Sequence, residues 1–345
     1  MRLKRINTWK EKGVITLHMP MNQRKYNKKK ANKITLTEKN KLLKDLSTNI
    51  INTYPTIDFS YSNLMMKLYN CNFFRVNIKK DSEYAIYKYK EKAVFFSNDM
   101  NIDASNENIL HECIYFLQDK RDKKNKLNRI GLCEIGNIKI RGLGLNEAAI
   151  QYIVGKMLDN QENKSHMQSL LKQLIYLTGE KVLVESTLKS KNDFKEKVMT
   201  KLNDDKTYYL IEENFDKMFE IEQKITNTKN MKQREKLKNE LRNTFLKAQE
   251  MLYKRYFEHL LTIIDSKEQA DMYIQILEEY QKNILNDGIW FEFKEQEIAN
   301  VDKILYEINK RREREGMIKW KENKFIKLFN KLVNLKQKDY ENEIK

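Results

Sequence analysis

The sequence predicts a mostly helical α+β fold, with a small antiparallel sheet near residues 73–96 and a helical bundle in its C-terminal part. Three observations lead there. Only 9 Gly and 2 Pro occur in 345 residues, too few turn formers for a Gly-rich sandwich or a doubly wound sheet. Apolar residues recur at helical spacing over most of the chain, as in Met167, Leu170, Leu171, Leu174 and Leu177. In one stretch the period shortens: Phe73, Phe74, Val76 and Ile78, then Tyr84, Ile86, Tyr87 and Tyr89, then Ala93–Phe96, read as strands with Lys90–Lys92 as a turn.

Taken in order, residues 1–45 make a basic arm, with 14 basic side chains against 3 acidic ones, a surplus of 11 within the chain's net +17. Charge clustered in this way suits an anionic partner such as nucleic acid, an anionic membrane surface or an acidic protein. The first twenty residues hold no apolar run of about 7–15 residues, and nowhere do about 18 apolar residues follow one another. The expectation is a cytoplasmic chain with neither a signal peptide nor a transmembrane segment. Cys71, Cys113 and Cys133 cannot all pair with one another and show no CxxC spacing, which fits a reducing compartment.

A helix over 32–48 opens near Thr35 or Thr37, and another spans 59–70 with Leu64, Met65 and Leu68 on one side. After the sheet, Ser105 and Asn106 start a helix that buries Ile109, Leu110, Cys113, Ile114 and Leu117. The charged stretch Asp119–Arg129 reads as exposed. Gly142-Leu143-Gly144-Leu145 is a break, after which Asn146 is expected to cap a helix with Ala148, Ala149, Tyr152, Ile153 and Val154 on its apolar face. Helices over 167–178, closed by Gly179, and over 181–188 follow. Residues 209–285 hold two long antiparallel helices and a third from Ala270, with further candidates at 296–314 and 317–337. No strict heptad runs through them, which favours a bundle over a coiled coil. Ile289-Trp290-Phe291 and Phe293 read as a core plug. Three regions result: the arm at 1–45, the sheet and motif helices at 46–200, and a helical region at 201–345.

The chemistry-bearing motif is His111-Glu112-Cys113-Ile114-Tyr115. In an H-E-x-x-H helix, histidines at i and i+4 share a face and the glutamate addresses a metal-bound water. Here Tyr115 takes the place of the second histidine. With Asn146-Glu147-Ala148-Ala149-Ile150 on a second helix, and Gln118 following the Tyr115-Phe116 pair as in bacterial members, residues 84–155 resemble the thermolysin-like metallopeptidases, or gluzincins. The resemblance implies a zincin-like helical core in which His111 and Glu147 ligate zinc and Glu112 is the general base. It places Tyr87, Tyr89 and Phe95 along a substrate groove. A phenol, with a reference pKa near 10, is a poorer zinc donor at neutral pH than an imidazole. The leading expectation is therefore a pseudopeptidase with a degenerate zinc site that recognises a polypeptide. An atypical active zinc peptidase and a nucleic-acid-associated scaffold using the basic arm are the alternatives. If the site is fully degenerate it holds no zinc, and Glu147 joins His111 in a polar network instead.

Overall fold

The computed structural model describes residues 31–76, 85–89, 91–98, 100–123, 125, 127–136, 140–160, 165–284 and 288–314. Most of the basic arm and the helix expected at 317–337 lie outside these residues. The chain divides into two compact units, Met1–His259 and Leu260–Lys345. The fold is mostly helical α+β, and among the described residues no helix is long and apolar enough to cross a membrane.

The first unit opens with strand β1 (Asn32–Lys33) and helix α1 (Leu36–Thr53). Thr35 starts α1 through a capping box: its hydroxyl accepts from the Glu38 N–H while the Glu38 carboxylate accepts from the Thr35 N–H at 2.9 Å. Ser60 caps α2 (Tyr61–Tyr69) by its hydroxyl alone, which accepts from the Asn63 N–H at 3.2 Å. Buried Lys39 donates to the Tyr69 and Cys71 carbonyls at 2.7 and 2.8 Å, so a cation satisfies the end of α2 where carbonyls lack helical partners. Residues 31–45 therefore belong to the folded unit and not to an arm.

A four-stranded sheet follows, from β1, β2 (Asn72–Val76), β3 (Ala85–Lys88) and β4 (Ala93–Ser97), in the order β1-β2-β4-β3. β3 and β4 form the expected antiparallel hairpin, Ile86 opposite Phe95. β4 then lies parallel to β2, Phe74 opposite Phe95, so the sheet is mixed. The pattern explains this: Ala93–Ser97 is buried at every position, as a central strand must be, and a central strand needs a neighbour on each side.

Helix α3 (Glu107–Gln118) carries the motif, capped by Asn106, whose Oδ1 accepts from Asn108 and Ile109. It is buried from Ile109 to Gln118, as a helix at the centre of a unit must be. The next stretch, expected to be exposed and given no secondary structure, forms a meander of β5 (Asp119–Arg121), β6 (Leu127–Ile130), β7 (Cys133–Ile135) and β8 (Ile140–Arg141). No alternation announced it: Leu127, Ile130 and Cys133 are buried while Lys120, Asn128 and Arg141 are exposed, and a register shift at Lys120/Arg121 breaks the period of two.

Helix α4 (Leu143–Met157) packs against α3 and against α8 (Asp205–Asn227). Gly144 makes the second contact close: a Cβ there would stand 2.5 Å from the Phe215 carbonyl carbon and 2.9 Å from the Asp216 nitrogen. The start of α4 is not capped by Asn146. Gly142, at φ +73°, precedes the helix with no side chain to offer, and the Asp216 carboxylate of α8 accepts from the Gly144 and Gly142 N–H groups at 2.8 and 3.2 Å. Asn146 is thereby left inside the helix. Helices α5 (His166–Thr178) and α6 (Glu180–Lys189) also pack against α4, α7 (Asp193–Leu202) packs against α5, α6 and α8, and α9 (Met231–Thr262) follows. The units part after His259, well beyond the expected boundary at 200, because α8 is the helix on which α4 rests.

The second unit contains α10 (Lys267–Ile284) and α11 (Gly288–Arg314), packed against each other. Trp290 is fully buried there, 5.3 Å from the Tyr280 ring and 5.4 Å from Phe293. Trp290 and Phe293 are therefore core, as expected, but Phe291, taken as part of the same plug, is 47 % exposed.

Candidate functional site on the paired helices α3 and α4

His111, Glu112 and Tyr115 lie on α3, and Glu147 enters from α4. The Tyr115 hydroxyl donates to Glu147 Oε2 at 2.7 Å. His111 Nε2 stands 3.3 Å from Glu147 Oε1, and Gln151, one turn along α4, donates to that same oxygen at 3.3 Å. The His111 and Tyr115 rings are 5.2 Å apart, as i and i+4 residues on one helix face should be. The residues expected to converge do so. All are buried: His111 is 4 % exposed, Tyr115 3 % and Glu147 0 %.

A second rung beside this cluster explains its register. Asn146 donates from Nδ2 to Gln118 Oε1 at 3.1 Å, and its Oδ1 accepts from the Leu132 N–H at 2.9 Å. Asn146 adjoins Glu147, and Gln118 is one turn beyond Tyr115. The two pairs thus fix α4 against α3 both in rotation and along its axis. Ser190, at the end of α6, closes the frame: its hydroxyl donates to the Gln118 carbonyl at 2.5 Å and accepts from the Gly131 N–H at 2.8 Å. Gly131 has φ +54°, and a Cβ there would lie 2.7 Å from the Gln118 amide while overlapping Asn146 Oδ1. Only glycine fits.

Glu112, the residue expected to act as base, is 7 % exposed and accepts from the Tyr87 N–H of β3 at 2.6 Å. Tyr87 itself is buried. Its hydroxyl donates to Asp119 Oδ2 at 2.7 Å and its ring meets Phe116 edge-on at 5.7 Å. Phe95 is fully buried and stacks on Phe74 at 5.2 Å, so it belongs to the core and not to a groove wall. Among the three aromatic residues expected along a groove, Tyr89 alone is partly exposed. His166, another histidine of the chain, packs edge-on against Phe245 at 5.1 Å.

The electrostatics follow from burial. Burial, and then the Glu147 charge, hold the Tyr115 phenol well above its ordinary pKa, so it is a neutral donor. Glu222, on α8, is pushed up to about 7 by burial and by the charge of Glu147. The sequence pattern did not single out Glu222, Asp216 or Ser190, since each reaches the site from a distant segment.

As donors, His111 and Glu147 are ordinary zinc ligands. Two such atoms on a tetrahedral ion, each about 2.1 Å away, stand roughly 3.4 Å apart, close to the 3.3 Å observed. The third position holds a neutral phenol that is already bonded to Glu147. Among the described residues no group of three or more His, Cys, Asp or Glu side chains is placed to hold a metal. No protein-family model, curated protein or solved structure matches the chain.

Proposed function

We propose that this chain is a gluzincin-like pseudopeptidase, which keeps the helix pair and edge strand of a metallopeptidase but recognises a polypeptide without cleaving it. The observation that carries the proposal is the buried hydrogen bond from Tyr115 to Glu147. It occupies an acceptor of one candidate ligand and puts a neutral phenol where the third donor would stand. With two strong donors where a catalytic zinc ordinarily has three, the residues do not fit a resident zinc ion, and no hydrolytic step runs through one here. Glu112 is also committed. A general base must meet a water at hydrogen-bond distance, and this carboxylate is engaged by the Tyr87 N–H at 2.6 Å.

Recognition is the task that these parts can still perform. Among the described residues β3 is an edge strand, paired on one side with β4. The Tyr87 N–H points away from β4 to reach Glu112, and antiparallel alternation sends the Ala85 N–H and carbonyl the same way. An extended segment can add to such an edge through main-chain hydrogen bonds, exchanging with Glu112 for the Tyr87 N–H.

The test is fluorescence anisotropy with a labelled unfolded polypeptide, carboxymethylated casein, run beside a peptide-hydrolysis assay with added zinc. Saturable binding without turnover is expected, weakened by about tenfold or more in Ala85→Pro, which removes an edge donor at a position where proline is tolerated. Zinc-dependent turnover by the natural chain, or no saturable binding, would overturn the proposal.

A further inference from the structure

The outer face of the β5–β8 meander carries one row of directly opposed residues: Lys120 faces Arg129, Arg129 faces Glu134, and Glu134 faces Arg141. Direct partners in antiparallel strands project to the same side, so three cations and one carboxylate share this face. Ordinary cross-strand pairing would alternate the signs. Here the only anion of the row is already neutralised, by Lys195 of α7 at 3.0 Å and Arg129 at 3.7 Å. Arg129 is spent as well: besides Glu134, its guanidinium donates to the Gly131 carbonyl at 2.8 Å and to Asn192.

The two ends of the row differ from its middle. Lys120 is exposed and gives one long hydrogen bond, 3.3 Å, to the Ser190 carbonyl, which leaves the rest of its ammonium available. Arg141 is exposed, and its guanidinium lies 5.3 Å from the Tyr209 ring centroid. Between them lies a cavity of about 470 Å³, lined by Lys120, Asn128, Arg129, Glu134, Ile135 and Arg141 among others. Ligand sites commonly have this volume. The ends are three strand spacings apart, roughly 14 Å between backbones, a span that two long basic side chains can close around an extended anion but not around a point charge.

We propose that this cavity binds a small phosphate-bearing anion of the diphosphate class, gripped at its two ends by Lys120 and Arg141. Between them Arg129 and Glu134 line the cavity, and the pairing of Glu134 with Arg129 and Lys195 leaves that group a net single positive charge while holding the strands in register. Phosphate oxygens suit a guanidinium fork and an ammonium donor. Asn128, exposed on β6, adds an amide. The proposal is independent of the α3–α4 site.

A chain of net +17 attracts polyanions everywhere, so the experiment must separate a built site from diffuse charge. Inorganic pyrophosphate is titrated calorimetrically into the full chain at constant ionic strength, with ADP and inorganic phosphate in parallel. Saturable pyrophosphate binding is expected, stronger than that of phosphate. Lys120→Glu and Arg141→Glu should each weaken it by about tenfold or more, while Lys254→Glu, the same charge change on α9 outside the cavity, leaves it unchanged. ADP binding as tightly as pyrophosphate assigns the site to a nucleoside diphosphate; pyrophosphate alone assigns it to the free anion. Both support the site. Because both residues are exposed, the reversals should not unfold the chain, and Arg141→Gln provides a milder variant that must also weaken binding. Equal loss in all three reversals, or no saturable binding of pyrophosphate or ADP, would overturn the proposal.

Discussion

Removing the Tyr115 hydroxyl should loosen α3 and α4 locally. In Tyr115→Phe the ring stays in its buried place, but Glu147 Oε2 loses the donor that stands 2.7 Å away. A carboxylate with 0 % exposure cannot recruit bulk water in exchange. Hydrogen bonds to charged groups contribute about 1.5–3 kcal/mol, and a buried acceptor stripped of its donor pays its full desolvation. Native-state hydrogen exchange reads this as a fall in protection of the α3 and α4 amides by about 10- to 150-fold. Glu147→Gln alone weakens the same contact from the other side. In the double variant the partners no longer depend on each other, so its effect should fall short of the sum by about 1–3 kcal/mol. Protection unchanged in Tyr115→Phe, or effects that simply add, would refute the argument that this bond holds the site together.

Two further outcomes follow from the same geometry. Gly131→Ala should destabilise the first unit by about 2 kcal/mol or more, as measured by urea unfolding, through the strained positive φ and the overlap with Asn146 and Gln118; a loss under about 0.5 kcal/mol would show that the second rung does not set the register. Glu212 is pushed up to about 7 by burial and then by the Asp216 charge. Its proton is therefore held more tightly in the folded state than in the unfolded one, and its contribution to stability falls as pH rises from about 4.5 to about 7. Glu212→Gln should remove that part of the slope, at most about 1.4 kcal/mol per pH unit. An unchanged slope in this variant would contradict the assignment.

The site was legible in the sequence to the extent that its spacing was local. His111 and Tyr115 are one turn apart on one helix, so periodicity alone brings them together, and the Asn146-Glu147 dipeptide named the second helix. Asn146 shows the limit. A sequence places asparagine after a glycine break as a cap, but the cap is supplied by Asp216 on α8, 72 positions beyond the Gly144 N–H it accepts from, and no local pattern reports that. The meander was missed for a related reason: with Lys120, Arg129, Glu134 and Arg141 along one strand face, the stretch read only as charged and exposed. Phe95 was misplaced because an aromatic residue on a strand beside a motif reads alike whether it faces a groove or a core. Its neighbours settle the matter, since every residue of β4 is buried.

Position 115 decides whether the helix pair can hold zinc, and zinc binding by Tyr115→His puts this to the test. His111 Nε2 and Glu147 Oε1 already stand 3.3 Å apart, and an imidazole at 115 replaces the phenol with a third ordinary donor on the same face. Zinc is titrated into the natural chain and the variant, each monitored for folding, with Glu147→Gln added to the variant as a control. Stoichiometric zinc is expected in Tyr115→His, a weaker gain once Glu147 is Gln, and none at this site in the natural chain. A folded Tyr115→His protein that takes up no zinc, or a natural chain that binds it stoichiometrically through His111 and Glu147, would contradict this expectation.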